Sequence, residues 1–290
     1  LKTQIEKRVG EFVDRQSEME TYCRILEGKD KHPVMVVVGP GGMGKSSLLA
    51  RMLHECTLRN VQRAEIIYTD DNIPDYLAVM RQCRDKLGVE KFEALTDLIN
   101  YYTVPQYQVN LNLHGTANID VGTKMDAPGA HIGQMAGIVV DINSAHPRND
   151  LSVTEGERRS RLNKAFIDAL AARNDALLVI FFDAAEKMTS STRDWLLKEL
   201  VIGVTDGGLS HVRFVICGRE APEIDHFTED LVHVAELKPL QVKDVVEYLE
   251  RRGHPDAENR PIVAKFLLSA SNNLLELGNM VDRMKAKGWK

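Results

Sequence analysis

The stretch that most narrows what this chain can fold into is Val34–Ser47, VMVVVGPGGMGKSS. Val34–Val38 is an unbroken, mostly β-branched apolar run, the pattern of a strand buried on both faces. It passes directly into Gly39-Pro40-Gly41-Gly42-Met43-Gly44-Lys45-Ser46, and from Ser47 onward Leu48, Leu49 and Leu53 recur at helical spacing. Strand, G-x-x-x-x-G-K-S and helix in that order predict a loop that wraps phosphate. Glycines allow the backbone to curl so that successive N–H groups face an anion, and the positive end of the following helix adds to that field. Lys45 offers a point charge to the β- and γ-phosphates, and the Ser46 hydroxyl is placed to ligate Mg²⁺. A glycine-rich loop that merely turns is the alternative, but the complete motif between both flanks argues against it. The expectation is a nucleoside triphosphate site.

Before this loop, Leu1, Ile5 and Val9 suggest a short amphipathic helix. Ser17-Glu18-Met19-Glu20 has capping-box spacing, and Met19, Tyr22 and Leu26 continue as a helical stripe. After it, a second strand is expected at Ala64–Thr69, then helices carried by Tyr76, Met80, Cys83 and Leu87 and by Phe92, Leu95 and Ile99. This β-α-β-α rhythm opens a parallel sheet. Residues 101–150 break it. Tyr107, Val109, Leu111 and Leu113 alternate with polar residues at a period of two, and Ile119 and Val121 alternate again. A Gly- and Ala-rich tract then precedes Ile138-Val139-Val140. We read an insertion, either a β-hairpin or a long excursion, serving a substrate or partner or simply decorating the surface.

Thr154-Glu155-Gly156-Glu157 has capping-box spacing ahead of Leu162, Phe166 and Leu170. Leu177–Phe182 reads as a buried strand, and Ser191 as the cap of a helix holding Trp195, Leu196 and Leu200. Asp206-Gly207-Gly208 turns into a strand at Val212–Cys217, followed by a short one at Leu231–Leu237. Beyond Lys238-Pro239-Leu240 the pattern is purely helical: Val242, Val245, Val246 and Leu249, then a helix opened by Pro261, then Leu274, Leu277, Val281 and Met284. A boundary is therefore expected near 238, between a sheet-based core (1–237) and a small helical subdomain (238–290).

Two further positions carry chemistry. Asp183 ends an apolar strand, and open α/β sheets bind ligands outside the carboxyl ends of their strands. A carboxylate there can hold Mg²⁺, although it could equally cap a helix. Glu186 is placed to orient or deprotonate an attacking water, or is a solvated helix residue. Arg219, at the end of the Val212–Cys217 strand, can sense a γ-phosphate and stabilise developing charge, or pair with Glu220 or Glu223 at the surface.

With net charge −5 and 43% hydrophobic residues, composition argues against a broad nucleic-acid footprint. Cys23, Cys56, Cys83 and Cys217 form no C-x-x-C pair, which fits idle thiols in a reducing cytoplasm better than a metal site. No apolar run approaches the ~18 residues of a membrane span, and no secretory signal opens the chain. Leu1 in place of Met suggests a processed chain or an excised domain.

These residues resemble the STAND class of AAA+-related P-loop ATPases. Phe12-Val13-Asp14-Arg15 with Glu18 is similar to that family's opening motif. The phosphate loop, FFDAAEK, FVICGRE and ELKPL follow in the family's order over nearly the whole chain except the insertion. The resemblance implies a five-stranded parallel α/β sheet ordered 5-1-4-3-2, which sets the Arg219 strand between those of the phosphate loop and Asp183. It implies ATP or ADP with Mg²⁺, Val13 and Arg15 near the adenine and ribose, and Pro239 beginning a helical lid. Asp14 stands where the family has glycine and Gln16 where it has glutamate, and the lid's Gly-Asn-Pro-Leu element appears as Ser271-Asn272-Asn273-Leu274. Effector and sensor domains would lie outside this chain, with self-association through the parent protein and a role in signalling or antiviral defence. An AAA+ ATPase that loads or remodels DNA is the competing expectation. A small-molecule phosphotransferase would need an arginine-rich lid, for which the 242–252 helix offers only Arg251 and Arg252.

Overall fold

A computed structural model of the 290-residue chain describes residues 15–103, 153–174, 176–205, 208–224, 229–271 and 273–289, together with the backbone of 106–113 and 138–146. The expected helix over Leu1–Val9, Val13, Ile119, Val121 and the 206–207 part of the Asp206 turn lie outside the described residues. Two compact units are present, Leu1–Phe92 with Phe166–Lys290, and Glu93–Ala165.

The first unit holds a five-stranded parallel sheet. Its strands are β1 (Val34–Val38), β2 (Gln62–Ile67), β5 (Leu178–Asp183), β6 (Val212–Gly218) and β7 (Val232–Glu236), in the spatial order β2-β5-β6-β1-β7. Counted within the sheet this is 2-3-4-1-5, the order the resemblance implied. Burial explains the sequence pattern strand by strand. Every residue of the central β1 is buried, and β5 is buried up to its terminal Asp183, so these strands are continuous apolar runs. The edge strands β2 and β7 instead mix buried positions with half-buried and exposed ones.

The helices of this unit are α1 (Gln16–Leu26), α2 (Lys45–Leu58) and α3 (Tyr76–Leu87) on the N-terminal side of the chain. Beneath the phosphate loop, Tyr22, Leu48, Met52, Met35, Val37, Phe181 and Val215 share one core, each at most 1% exposed. Burying each such large apolar side chain contributes about 1.5–3 kcal/mol. In the second unit, α4 (Glu93–Thr103) precedes an antiparallel pair, β3 (Gln106–Leu113) and β4 (Ile138–His146), with Leu111 opposite Val140. Within the insertion expected at 101–150 these two strands pair antiparallel, and the tract between them, 114–137, lies outside the described residues. α5 (Glu155–Ala171) then leads back into the first unit. Its cap is a reciprocal box: the Glu157 amide donates to Thr154 Oγ1 (3.2 Å), while the Thr154 amide donates to Glu157 Oε2 (2.9 Å).

Three local expectations shift. The strand expected at Ala64–Thr69 runs two residues earlier because pairing with β5 begins at Gln62 opposite Leu178. Ser17 does not cap α1: the helix already starts at Gln16 behind Arg15, and Ser17 Oγ donates to Glu18 at 2.7 Å. Thr189, not Ser191, caps α6 (Ser190–Trp195), its Oγ1 accepting from the Thr192 amide at 3.2 Å. α6 continues through Leu196–Leu200 into the short α7 (Ile202–Thr205).

The last three helices are α8 (Val242–Arg251), α9 (Arg260–Ala270) and α10 (Leu274–Ala286). They share a separate apolar core of Leu240, Val245, Leu249, Leu267, Leu277 and Val281.

Candidate nucleotide-binding site

The sheet register brings the sequence-selected residues to one end. Val38 lies opposite Gly218 on β6, and Ile67 of β2 opposite Asp183, so the chain leaves β1, β5 and β6 on the same side. The loop Gly39–Gly44 emerges from β1 and feeds α2, whose first residues are Lys45, Ser46 and Ser47. Gly42 and Gly44 have φ of +81° and +88°, which L side chains rarely adopt.

Most of the loop's carbonyl groups are engaged within the chain. Lys45 Nζ donates to the carbonyls of Gly39 (2.5 Å) and Pro40 (2.9 Å). The Met43 amide donates to the Pro40 carbonyl at 3.4 Å, and the Met43 carbonyl accepts from Arg15 Nη2 at 3.2 Å. Arg15 is only 5% exposed and takes the left-handed conformation that starts α1. The structure therefore places Arg15 against the backbone of the phosphate loop. A glycine-rich loop that runs into a helix N-terminus is an arrangement that binds anions through its N–H groups.

Asp183 closes the second side. Its Oδ1 accepts from the Ala184 amide (2.9 Å), and Ser46 Oγ lies 3.5 Å from Oδ2. Burial pushes the Asp183 carboxyl above the usual carboxylate range against the pull of the Ala184 amide, and nearby Glu186 pushes it further. Burial likewise pushes the Lys45 ammonium below the ordinary lysine range, with Glu186 opposing the shift. A cation and a carboxylate that each lose hydration and feel one another make a site primed for a charged ligand with its counter-ion. Hydroxyl and carboxylate oxygens converging at the end of a phosphate loop suit a hard cation such as Mg²⁺, which takes few protein ligands and completes its shell with phosphate and water.

Glu186 sits in the 3₁₀ turn Ala185–Lys187 after β5, and its carboxylate is engaged twice by the neighbouring strand end. The Arg219 amide donates to Oε2 at 3.1 Å, and Arg219 Nε lies 3.2 Å from Oε1. The surface partners considered for Arg219 from sequence were Glu220 and Glu223; the partner is Glu186. A Cβ on Gly218 would press on the Glu220 carbonyl oxygen at 3.1 Å while meeting Glu186 only at ordinary contact distance. Pro239 lies exposed between β7 and α8.

One contact was not selected from sequence. The Leu274 amide, at the start of α10, donates to the Gly42 carbonyl at 2.8 Å. A Cβ on Gly42 would fall 2.1 Å from Asn273 Nδ2. The available signal was an asparagine directly before a helical stripe, an N-cap pattern; nothing in it named the partner.

Among the described residues, no helix is long and apolar enough to cross a membrane, and no group of three or more His, Cys, Asp or Glu side chains is disposed to hold a metal. No curated protein matches the sequence. Among solved structures, Cdc6p from Pyrobaculum aerophilum is similar with a TM-score of 0.54 at 12% identity, over 96% of this chain and 64% of that one. A STAND protein with a tetratricopeptide repeat sensor from Pyrococcus horikoshii gives 0.47 at 15% identity, over 92% of this chain and 29% of that one. Domain III of the Thermotoga maritima replication initiation protein DnaA gives 0.43 at 15% identity, over 96% and 88%. The chain thus spans less than two thirds of the length of the first two. The family model described as AAA ATPase domain matches residues 11–215. The chain belongs to the AAA ATPase domain family.

Proposed function

We propose that this chain is the nucleotide-binding engine of a STAND-type switch: it binds ATP, holds Mg²⁺ with Ser46 and Asp183, hydrolyses ATP slowly, and uses the nucleotide state to control self-association of a larger signalling or defence protein. The helices after 238 serve as its lid. Bound Mg²⁺ would neutralise charge on the phosphates. Lys45 exchanges its loop carbonyl partners for the phosphate tail, Asp183 supplies the carboxylate, and Glu186 orients or deprotonates water.

The observation that carries this reading is the engagement of Glu186 by Arg219. A general base held by the residue expected to sense the γ-phosphate is not poised to act. It becomes available only when a triphosphate draws the guanidinium away, which suits a timer better than a motor. Lys45→Ala is expected to abolish nucleotide binding, and Glu186→Gln to retain binding and lose hydrolysis. Unchanged hydrolysis in Glu186→Gln would remove that residue from its role. The nucleotide carried through purification, identified by mass, separates a resting switch, which holds ADP, from an enzyme whose site empties. Loading or remodelling of DNA by the same core is opposed by the net charge of −5; salt-dependent DNA binding by the purified chain would overturn the switch reading.

A further inference from the structure

We propose that Asn273 and Leu274 form a latch by which the lid grips the phosphate loop and slows departure of a bound nucleotide; this rests on the ATP-switch reading above. Leu274 is the first residue of α10, and a helix leaves its first amides without internal partners. Here that amide is spent on the Gly42 carbonyl at 2.8 Å. The peptide so held is fixed at its other end too, because the Met43 N–H donates to the Pro40 carbonyl at 3.4 Å. The lid therefore holds one peptide plane inside the loop itself.

Side chains add to the grip. Asn273 is the residue on which α10 starts: its carbonyl accepts from the Leu277 amide (2.9 Å), its Oδ1 lies 3.4 Å from the Glu276 amide, and its own amide donates to Ser271 Oγ at 2.9 Å. The terminal amide of Asn273 fills the space in front of Gly42, and Leu274 Cδ2 lies 3.0 Å from where a Cβ on Gly44 would be. The two loop glycines with positive φ are thus the two that the lid approaches most closely. α10 is anchored in the lid by Leu277 and Val281, both fully buried, so the lid cannot swing without breaking the Gly42 bond.

The test exploits the helix position. Proline is well tolerated as the first helical residue, where the N–H it lacks has no helical partner, and the extended backbone it favours in the preceding residue suits an N-cap. Leu274→Pro deletes the latch donor, whereas Leu274→Ala removes the same side chain and keeps it. Each variant is loaded with a fluorescent N-methylanthraniloyl-ADP and chased with excess unlabelled ADP. Leu274→Pro is expected to release the probe roughly two- to tenfold faster than Leu274→Ala, the span of one hydrogen bond. Equal rates would overturn the latch. Should Leu274→Pro fold poorly, hydrogen exchange of the 39–44 segment in Asn273→Ala against the parent decides the matter: faster exchange supports the latch, unchanged exchange overturns it. A parent chain that binds no nucleotide would fell the ATP reading instead, while the exchange measurement still judges the contact.

Discussion

Burial raises the Asp183 carboxyl, so in the nucleotide-free chain its negative charge is a cost carried for function. The sign follows directly. The folded group titrates above the unfolded one, so between those two values the folded state holds the extra proton. Its stability contribution falls as pH rises through that window. Asp183→Asn is therefore expected to raise the thermal midpoint of the empty chain while losing the Mg²⁺-dependent part of nucleotide stabilisation; a lowered midpoint in the empty chain would contradict this. Gly42→Ala meets a positive φ and the Asn273 amide together, and is expected to cost at least about 1 kcal/mol in denaturant unfolding and to weaken nucleotide binding. At this scale Lys45, Ser46 and Asp183 were legible because a spacing rule or a strand end marks them. The Glu186–Arg219 pair and the Leu274–Gly42 bond were not, since one joins side chains from separate strand ends and the other joins main-chain atoms that carry no residue signature.

Among the elements, the central strands were the easiest to read and the edges the hardest. β1, β5 and β6 are buried on both faces, which forces apolar runs. β2 makes one buried face and half-exposed flanks, so its QRAEII sequence leaves the start to be set by pairing with β5. Helix starts were similarly ambiguous where two hydroxyl residues compete, as with Thr189 and Ser191. Thr189→Ala is expected to cost about 1 kcal/mol, measured by urea unfolding, and Ser191→Ala a few tenths at most. α6 matters more through its last residue. Trp195 is fully buried with its ring 5.9 Å from Phe166 and 6.3 Å from Tyr76, and Trp195→Ala is expected to cost about 3–5 kcal/mol.

For the molecule as a whole, a ligand that binds only the folded state stabilises it by mass action. ATP with Mg²⁺ at a hundredfold excess over its dissociation constant is expected to add about 2.7 kcal/mol, visible as a concentration-dependent rise in the unfolding midpoint that Lys45→Ala lacks. The order of the sheet was legible through family resemblance, whereas the period-two pattern at 107–113 left hairpin and excursion equally open. Finally, β2 ends at Ile67 and its neighbour in the sheet, β5, begins only at Leu178, so the long stretch of chain between them starts and finishes at adjoining strands. Within that stretch the Arg158 guanidinium of α5 lies 5.7 Å from the centre of the Tyr102 ring of α4, so the helices on either side of the 104–152 tract meet. Cutting that tract from the gene would therefore leave all five strands of the parallel sheet in the chain, with β2 still followed by β5.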